Sequence, residues 1–160
     1  MESVLREPTL ADVAVIGVVH HRCWVETYSA LLPASAWDTI TVESVTRRWR
    51  GDLSAGDPRH RRVVAYLEGE LVGFAGSRPG ADDDPVELWG LYVLAAHQGT
   101  GLGTRLMREV IGDGPATLWV ARENHRAREF YRHHGFAEDG GTDVHDVAPE
   151  AAIPVVRMRR

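Results

Sequence analysis

The chain has 160 residues, 44% hydrophobic and 26% charged, with a formal net charge of −5. That size suits one domain over 1–160 with a core of its own, and the acidic balance argues against nucleic acid as a partner. No apolar run nears the roughly 20 residues that cross a bilayer, the first residues lack a signal-peptide core, and the lone Cys23 permits no internal disulfide, so a reducing cytoplasm away from membranes is expected.

A short strand is expected near Glu2–Arg6, followed by a helix with Thr9 as N-cap. Its apolar register runs through Val13, Ile16, Val19, Cys23 and Tyr28, ending near Leu31-Leu32-Pro33. A second helix starts near Thr41, carries Val45 and Trp49, and stops around 51–56. Val63–Leu67 and Leu71–Gly76, joined through Glu68-Gly69-Glu70, read as a hairpin. The solvated loop Asp82-Asp83-Asp84-Pro85 leads into a long strand over 86–94. A glycine-rich turn then opens a helix whose apolar residues fall at 102, 106, 107, 110 and 111, one buried face. Ala116–Val120 reads as a strand, Asn124 caps a helix to about His134, and Gly135 stops it. A strand from Phe136, a polar turn and a last strand over Val155–Arg159 finish a mixed α/β order.

The glycine-rich turn carries the chemistry. In Gln98-Gly99-Thr100-Gly101-Leu102-Gly103-Thr104, three side chains are missing where a helix start leaves N–H groups unpaired. Bare amides and the positive end of a helix dipole can hold phosphate oxygens. Two familiar phosphate chemistries are excluded, because the chain has no lysine and all 18 basic residues are arginine. A P-loop needs its motif lysine, and a pyridoxal-phosphate enzyme needs one for its Schiff base. The dinucleotide fingerprint fails too, since it requires glycine where Thr104 stands.

A second constellation, Asn124-His125-Arg126-Ala127-Arg128-Glu129-Phe130-Tyr131-Arg132-His133-His134-Gly135-Phe136, follows about 20 residues later. Together with Gln98-x-x-Gly101-x-Gly103 on its preceding strand, and the early Cys23–Pro33 segment, the chain resembles the GNAT superfamily of acetyl-CoA-dependent N-acetyltransferases. The resemblance implies a mostly antiparallel, twisted sheet of about seven strands, splayed into a V between strands 4 and 5 and flanked by about four helices. It implies acetyl-CoA as co-substrate, with no metal, and direct transfer to an amine in a ternary complex. Gln98, Gly99, Thr100, Gly101, Leu102, Gly103 and Thr104 would hold the pyrophosphate. Leu91, Tyr92 and Val93 would pair with the pantetheine arm as an added strand does. Asn124 would bond the same arm, or serve simply as an N-cap.

Acetyl transfer needs a base, since an alkyl ammonium has a pKa of roughly 10.4. It also needs donors for the oxyanion and an acid for the departing thiolate. Six residues before Val93, Glu87 stands at the offset of the glutamate that serves as base in several members of the family, and the resemblance makes it the candidate base, acting through water; as a strand-start glutamate it also reads as a solvent-exposed residue. Tyr131, in the Phe-Tyr pair, matches the family's general acid and also contacts the coenzyme; its bland reading is a half-buried core tyrosine. A backbone N–H near Leu91 is the expected oxyanion donor. Trp24, Glu26 and Tyr28 on the first helix, with Trp89 opposite, are the expected acceptor pocket, where an aromatic wall suits a cation. Each of these also reads as a core or solvated-face residue.

The acceptor is expected to be a small-molecule amine, and the acidic balance favours a cationic one. A protein N-acetyltransferase, or a noncatalytic acyl-CoA sensor of the same fold, are the alternatives, and a homodimer is compatible with either. A cysteine-dependent acyltransferase using Cys23 is a third, although Cys23 lies in a buried helical register. The eight histidines show no metal-ligand spacing. Arg105 and Arg108 are the arginines best placed for the coenzyme's 3′-phosphate.

Overall fold

A computed structural model describes residues 2–160. Its elements are β1 (Val4–Arg6), α1 (Val13–Tyr28), α2 (Val42–Ala55), β2 (Arg61–Leu67), β3 (Glu70–Arg78), β4 (Glu87–Val93), α3 (Leu102–Ile111), β5 (Thr117–Ala121), α4 (His125–His133), β6 (Ala137–Ala148) and β7 (Ala151–Arg159). The strands form one seven-stranded sheet in the order β1-β2-β3-β4-β5-β7-β6. Every pairing is antiparallel except β4–β5.

Local chemistry explains the helix boundaries. Asp12 accepts the Thr9 N–H at 2.7 Å, closing a 3-10 turn that runs into α1. At α2, Thr41 Oγ1 accepts the Ser44 N–H at 3.1 Å and Ser44 Oγ accepts the Thr41 N–H at 3.0 Å, a reciprocal cap. Asn124 Oδ1 accepts the Ala127 N–H at 3.1 Å and starts α4. The α3 stripe Leu102, Leu106, Met107, Val110 and Ile111 is wholly buried, each such side chain being worth about 1.5–3 kcal/mol on leaving water.

Two apolar layers sandwich the sheet. One lies beneath α3 and α4 and includes Leu88, Leu106, Leu118 and Phe136. The other lies beneath α1 and α2, with Ile16, Val45, Trp49 and Phe74. A third cluster forms where the α1–α2 connection covers β5 and β7.

The tail differs from the expected strand, polar turn and short last strand. β6 runs for 12 residues and pairs with a β7 of 9, with a register shift between Glu138 and Thr142. β6 is the sheet's edge and mostly exposed, so no apolar alternation marks it. Pairing with β7 and ion pairs such as Arg157–Asp139 hold it instead. The first helix also stops at Tyr28, short of the Leu31–Pro33 end read from its apolar pattern; a 3-10 turn over Ala34–Asp38 follows.

Candidate active site

The one parallel pairing is where the sheet opens. β4 and β5 pair only at Glu87–Thr117 and Leu88–Leu118. From Trp89 onward β4 has a partner on the β3 side alone. Leu94 N–H bonds Val72 O of β3 at 3.0 Å, so strand alternation turns Tyr92 toward β3 as well. The main-chain groups of Leu91 and Val93 therefore face the gap. Their side chains pack into the core under α3. A register shift at Gly76/Ser77 falls opposite Trp89, a bulge of the sort that re-aims a strand's side chains.

The glycine loop stands at the end of that edge. Gly99 and Gly101 have φ of 76° and 84°, and nothing lies within 4 Å of where a Cβ would sit on either. No N–H group from Gly99 to Thr104 finds an acceptor among the described residues. Gln98 Nε2 donates to Val93 O at 2.8 Å and Thr100 Oγ1 to His97 O at 2.8 Å, bracing the turn from its own side chains. Thr104 Oγ1 lies 2.9 Å from His134 Nε2, while His134 Nδ1 lies 2.8 Å from Phe130 O. A carbonyl only accepts, so Nδ1 carries the proton and Thr104 donates to Nε2. That ties the start of α3 to the end of α4. A Cβ on Gly103 would meet the Phe130 ring at an ordinary 3.5 Å.

Three tyrosines gather near the gap. Tyr131 of α4 is buried against Phe130 and Phe136, and its hydroxyl makes no hydrogen bond to a described residue. Burial, with a smaller push from Tyr28, holds its phenol well above the ordinary value. Tyr28 and Tyr92 hydroxyls meet at 3.1 Å, and burial raises both phenols. All three thus keep their protons near neutral pH, Tyr131 with one free to give. Asn124, whose oxygen caps α4, stands at the end of β5 on the far side of the opening.

The expected acceptor residues part company. Glu26 accepts the Ala95 N–H at 3.0 Å and pairs with Arg22 at 3.1 Å; it braces the turn that leads into the glycine loop. Trp24 packs against Tyr28 at 4.9 Å between centroids, and its Nε1 is fully enclosed with no partner among the described residues. Trp89 instead lines a separate cavity of about 220 Å³ between α1, α2 and the β3–β4 edge, with His20, Arg48, Trp49, Asp52 and Arg78. Gly76 makes room for it, since a Cβ there would lie 2.1 Å from the Trp89 ring. Glu87, beside this cavity, is paired with Arg78 across the strands and its side chain is 15% exposed.

The sequence reading missed His20, Arg48 and Arg78. His20 Nδ1 accepts the Trp49 Nε1–H at 2.9 Å, and burial, helped by Arg48, pushes its imidazole down to about 3. A signal existed: His20 falls one turn after Ile16 on the buried face of α1, where a polar ring needs a partner.

The Acetyltransferase (GNAT) family profile matches residues 21–136. The chain belongs to this GNAT family. An uncharacterised N-acetyltransferase of Mycobacterium tuberculosis is 38% identical over 90 residues, 52% of this chain; the chain spans only 57% of that relative. A probable N-acetyltransferase of the same organism is 26% identical over 154 residues, covering 92% of this chain and 87% of that protein. Among solved structures, PaiA N-acetyltransferase from Thermoplasma acidophilum, in complex with coenzyme A, superposes with a TM-score of 0.71 at 17% identity, covering 98% of each chain.

In this GNAT domain several secondary readings change. Arg105 is held by Ser3, through Oγ at 2.8 Å and O at 3.1 Å, and Arg108 by Asp113 at 3.0 Å; both expected 3′-phosphate arginines have protein partners. Burial pushes the Cys23 thiol up to about 12, poor chemistry for a nucleophile that must be a thiolate. Among the described residues no helix is long and apolar enough to cross a membrane, and no three His, Cys, Asp or Glu side chains gather as metal ligands would.

Proposed function

We propose that this protein moves an acetyl group from acetyl-CoA to the amine of a small molecule by direct attack in a ternary complex. The observation that carries the reading is a pair of unpaired main-chain stretches on the two sides of one short turn. One part is the β4 edge beyond Leu88, which has no β5 partner; the other, after a hydrogen-bonded turn over Leu94–Gln98, is the run of N–H groups from Gly99 to Thr104 without acceptors among the described residues. A pantetheine arm needs such an edge, and a pyrophosphate needs such amides. The coenzyme supplies the acyl group as a thioester.

The chain's own residues then divide the work. Leu91 and Val93 pair with the arm and fix the carbonyl, and a backbone N–H near Leu91 faces the developing oxyanion. Glu87, through water, takes a proton from the ammonium, freeing the nitrogen lone pair. The C–N bond forms and the C–S bond breaks as Tyr131 gives its proton to the departing sulfur. The nitrogen's surplus proton makes good the one Tyr131 lost. Cytoplasmic acetyl-CoA and the single unpaired cysteine suit an intracellular reaction.

The test is thiol release with acetyl-CoA across an amine library, with the acetylated product identified by mass. Turnover is expected with a subset of small amines, and Glu87→Gln should lose most activity at the acid end of the profile. Coenzyme binding without turnover on any amine, peptides included, would leave a sensor. Turnover confined to peptide N-termini would make it a protein acetyltransferase.

A further inference from the structure

The cavity beside Glu87 holds polar groups that the coenzyme chemistry does not use. An indole nitrogen can only donate, so the bond from Trp49 Nε1 to His20 Nδ1, at 2.9 Å, makes Nδ1 the acceptor. The His20 ring is therefore neutral, with its proton on Nε2. The His20 ring is only 8% exposed; its Nε2–H has no acceptor among the described residues and is not enclosed by them. It is therefore a donor at the cavity wall that a ligand's acceptor can reach.

Charge points the same way. Arg78 is neutralised by Glu87 and Asp52 by Arg62. Arg48 lines the cavity, close enough to His20 to affect its titration, and has no ion pair among the described residues. The walls are the indoles of Trp49 and Trp89, 5.8 Å apart between centroids. The cavity thus offers the Arg48 guanidinium, without an ion pair among the described residues, and one neutral N–H between aromatic faces, with His60, near Asp57 at 3.8 Å, and the paired Asp52 and Arg78 completing its polar lining; this is the reverse of the cationic acceptor that overall charge suggests. Its volume of about 220 Å³ lies below the roughly 300–1,000 Å³ of drug-sized pockets.

We propose that this cavity is the acceptor subsite and that it takes an amino-acid-sized amine bearing a carboxylate, held by Arg48 and the Nε2–H of His20. The assignment rests on the acetyl-transfer reading. A polyamine would bring a second cation against Arg48, whereas a carboxylate satisfies both groups and leaves its amine on the Glu87 side.

The experiment measures thiol release with a panel of amino acids, each beside its methyl ester and the amine left by removing its carboxylate. The carboxylated member should have the higher kcat/KM by at least about tenfold. Arg48→Gln should bring that ratio toward one, while Arg47→Gln, about 100° round the helix, keeps it. His20→Asn, which keeps an oxygen for Trp49 but loses the Nε2–H, should also lower it. Comparing variants on the same pair cancels differences in amine basicity. A preference for the ester or decarboxylated amine, or a ratio that Arg48→Gln leaves untouched, overturns the subsite and leaves acetyl transfer standing. Absence of thiol release with every acceptor overturns both.

Discussion

The proposed coenzyme side and the proposed acceptor cavity are made of different materials. On the coenzyme side the working groups are main chain: the free edge of β4 and the bare amides of Gly99–Thr104. On the side proposed for the acceptor they are side chains from α1, α2, β3 and β4 that meet around the cavity. Backbone groups are the same in every sequence, so a main-chain site is specified by absent side chains and turn geometry. It can be read along a short stretch and accepts one fixed ligand. A side-chain site is specified by convergence from distant positions, and its ligand changes with any of them.

The sharpest way to break this division is at the one side chain that belongs to the coenzyme half as an acid. Tyr131→Phe keeps the ring packed against Phe136 and removes only the hydroxyl. We expect kcat to fall by about a hundredfold or more while acetyl-CoA binding, read by calorimetry, changes by less than about twofold. A wild-type kcat would take Tyr131 out of the chemistry. A large loss of binding would make it a coenzyme contact only.

The acceptor half leans on charge in a way the coenzyme half does not. Asp12 sits at the root of α1, where its carboxylate accepts from both Arg6 guanidinium nitrogens at 2.8 and 2.7 Å and from the Tyr66 hydroxyl at 2.7 Å. Arg6 first, then Tyr66 and Thr9, hold its carboxyl well below the usual carboxylate range. A depressed acid stabilises the fold fully above its unfolded value, near 3.9, and that contribution is lost as pH falls further. Asp12→Asn should therefore cost about 2 kcal/mol at pH 7 in a urea titration. The gap to wild type should begin to shrink below about pH 4 and close only as pH approaches the depressed folded value. A gap that does not shrink at all as pH falls below about 4 would mean shape, not charge, secures α1.

Next comes the loop itself. Gly101 has φ of 84° and is open to solvent on its Cβ side, so Gly101→Val strains the backbone without striking a neighbour. Strain of about 1–3 kcal/mol should weaken coenzyme A by about tenfold or more. The buried α3 stripe should keep the helix, seen as unchanged circular dichroism. Unchanged affinity would separate the loop from the pyrophosphate.

The same division explains what the sequence disclosed. Element order, the start of α2 near Thr41 and the Asn124 cap were legible because each rests on neighbours within a few residues; the splayed sheet, which joins Glu87 to Thr117, was reached only through the family resemblance. Glu26 was not: its partner, the Ala95 N–H, is 69 positions away, so an acidic residue beside two aromatics looked like an ammonium ligand. Arg105 reaches Ser3 across 102 positions, and no helical pattern announces that. His20 and Trp49 are 29 apart on two helices. Their bond follows only once α1 and α2 cross, with Gly17 against Thr46, where a Cβ would lie 1.9 Å from Oγ1. β6 stayed hidden for another reason, since an exposed edge strand needs no apolar pattern at all.

The smallest expected effect falls on Cys23, which lies between the two halves on α1. It is 2% exposed, and burial, its largest influence, drives the thiol up to about 12. At neutral pH the thiolate needed for an acyl-enzyme is a trace species, and no hydrogen bond from a histidine reaches the sulfur. Cys23→Ala should lower stability by about 1 kcal/mol, the loss of one core atom, and leave thiol release within about twofold of wild type. Intact mass after incubation with acetyl-CoA gives the opposing outcome unusual clarity. The chain has no lysine, so an acetyl adduct that vanishes with Cys23 would have no side-chain amine to blame. It would move the nucleophile onto α1 and turn the Glu87–Tyr131 division of labour into a two-step reaction.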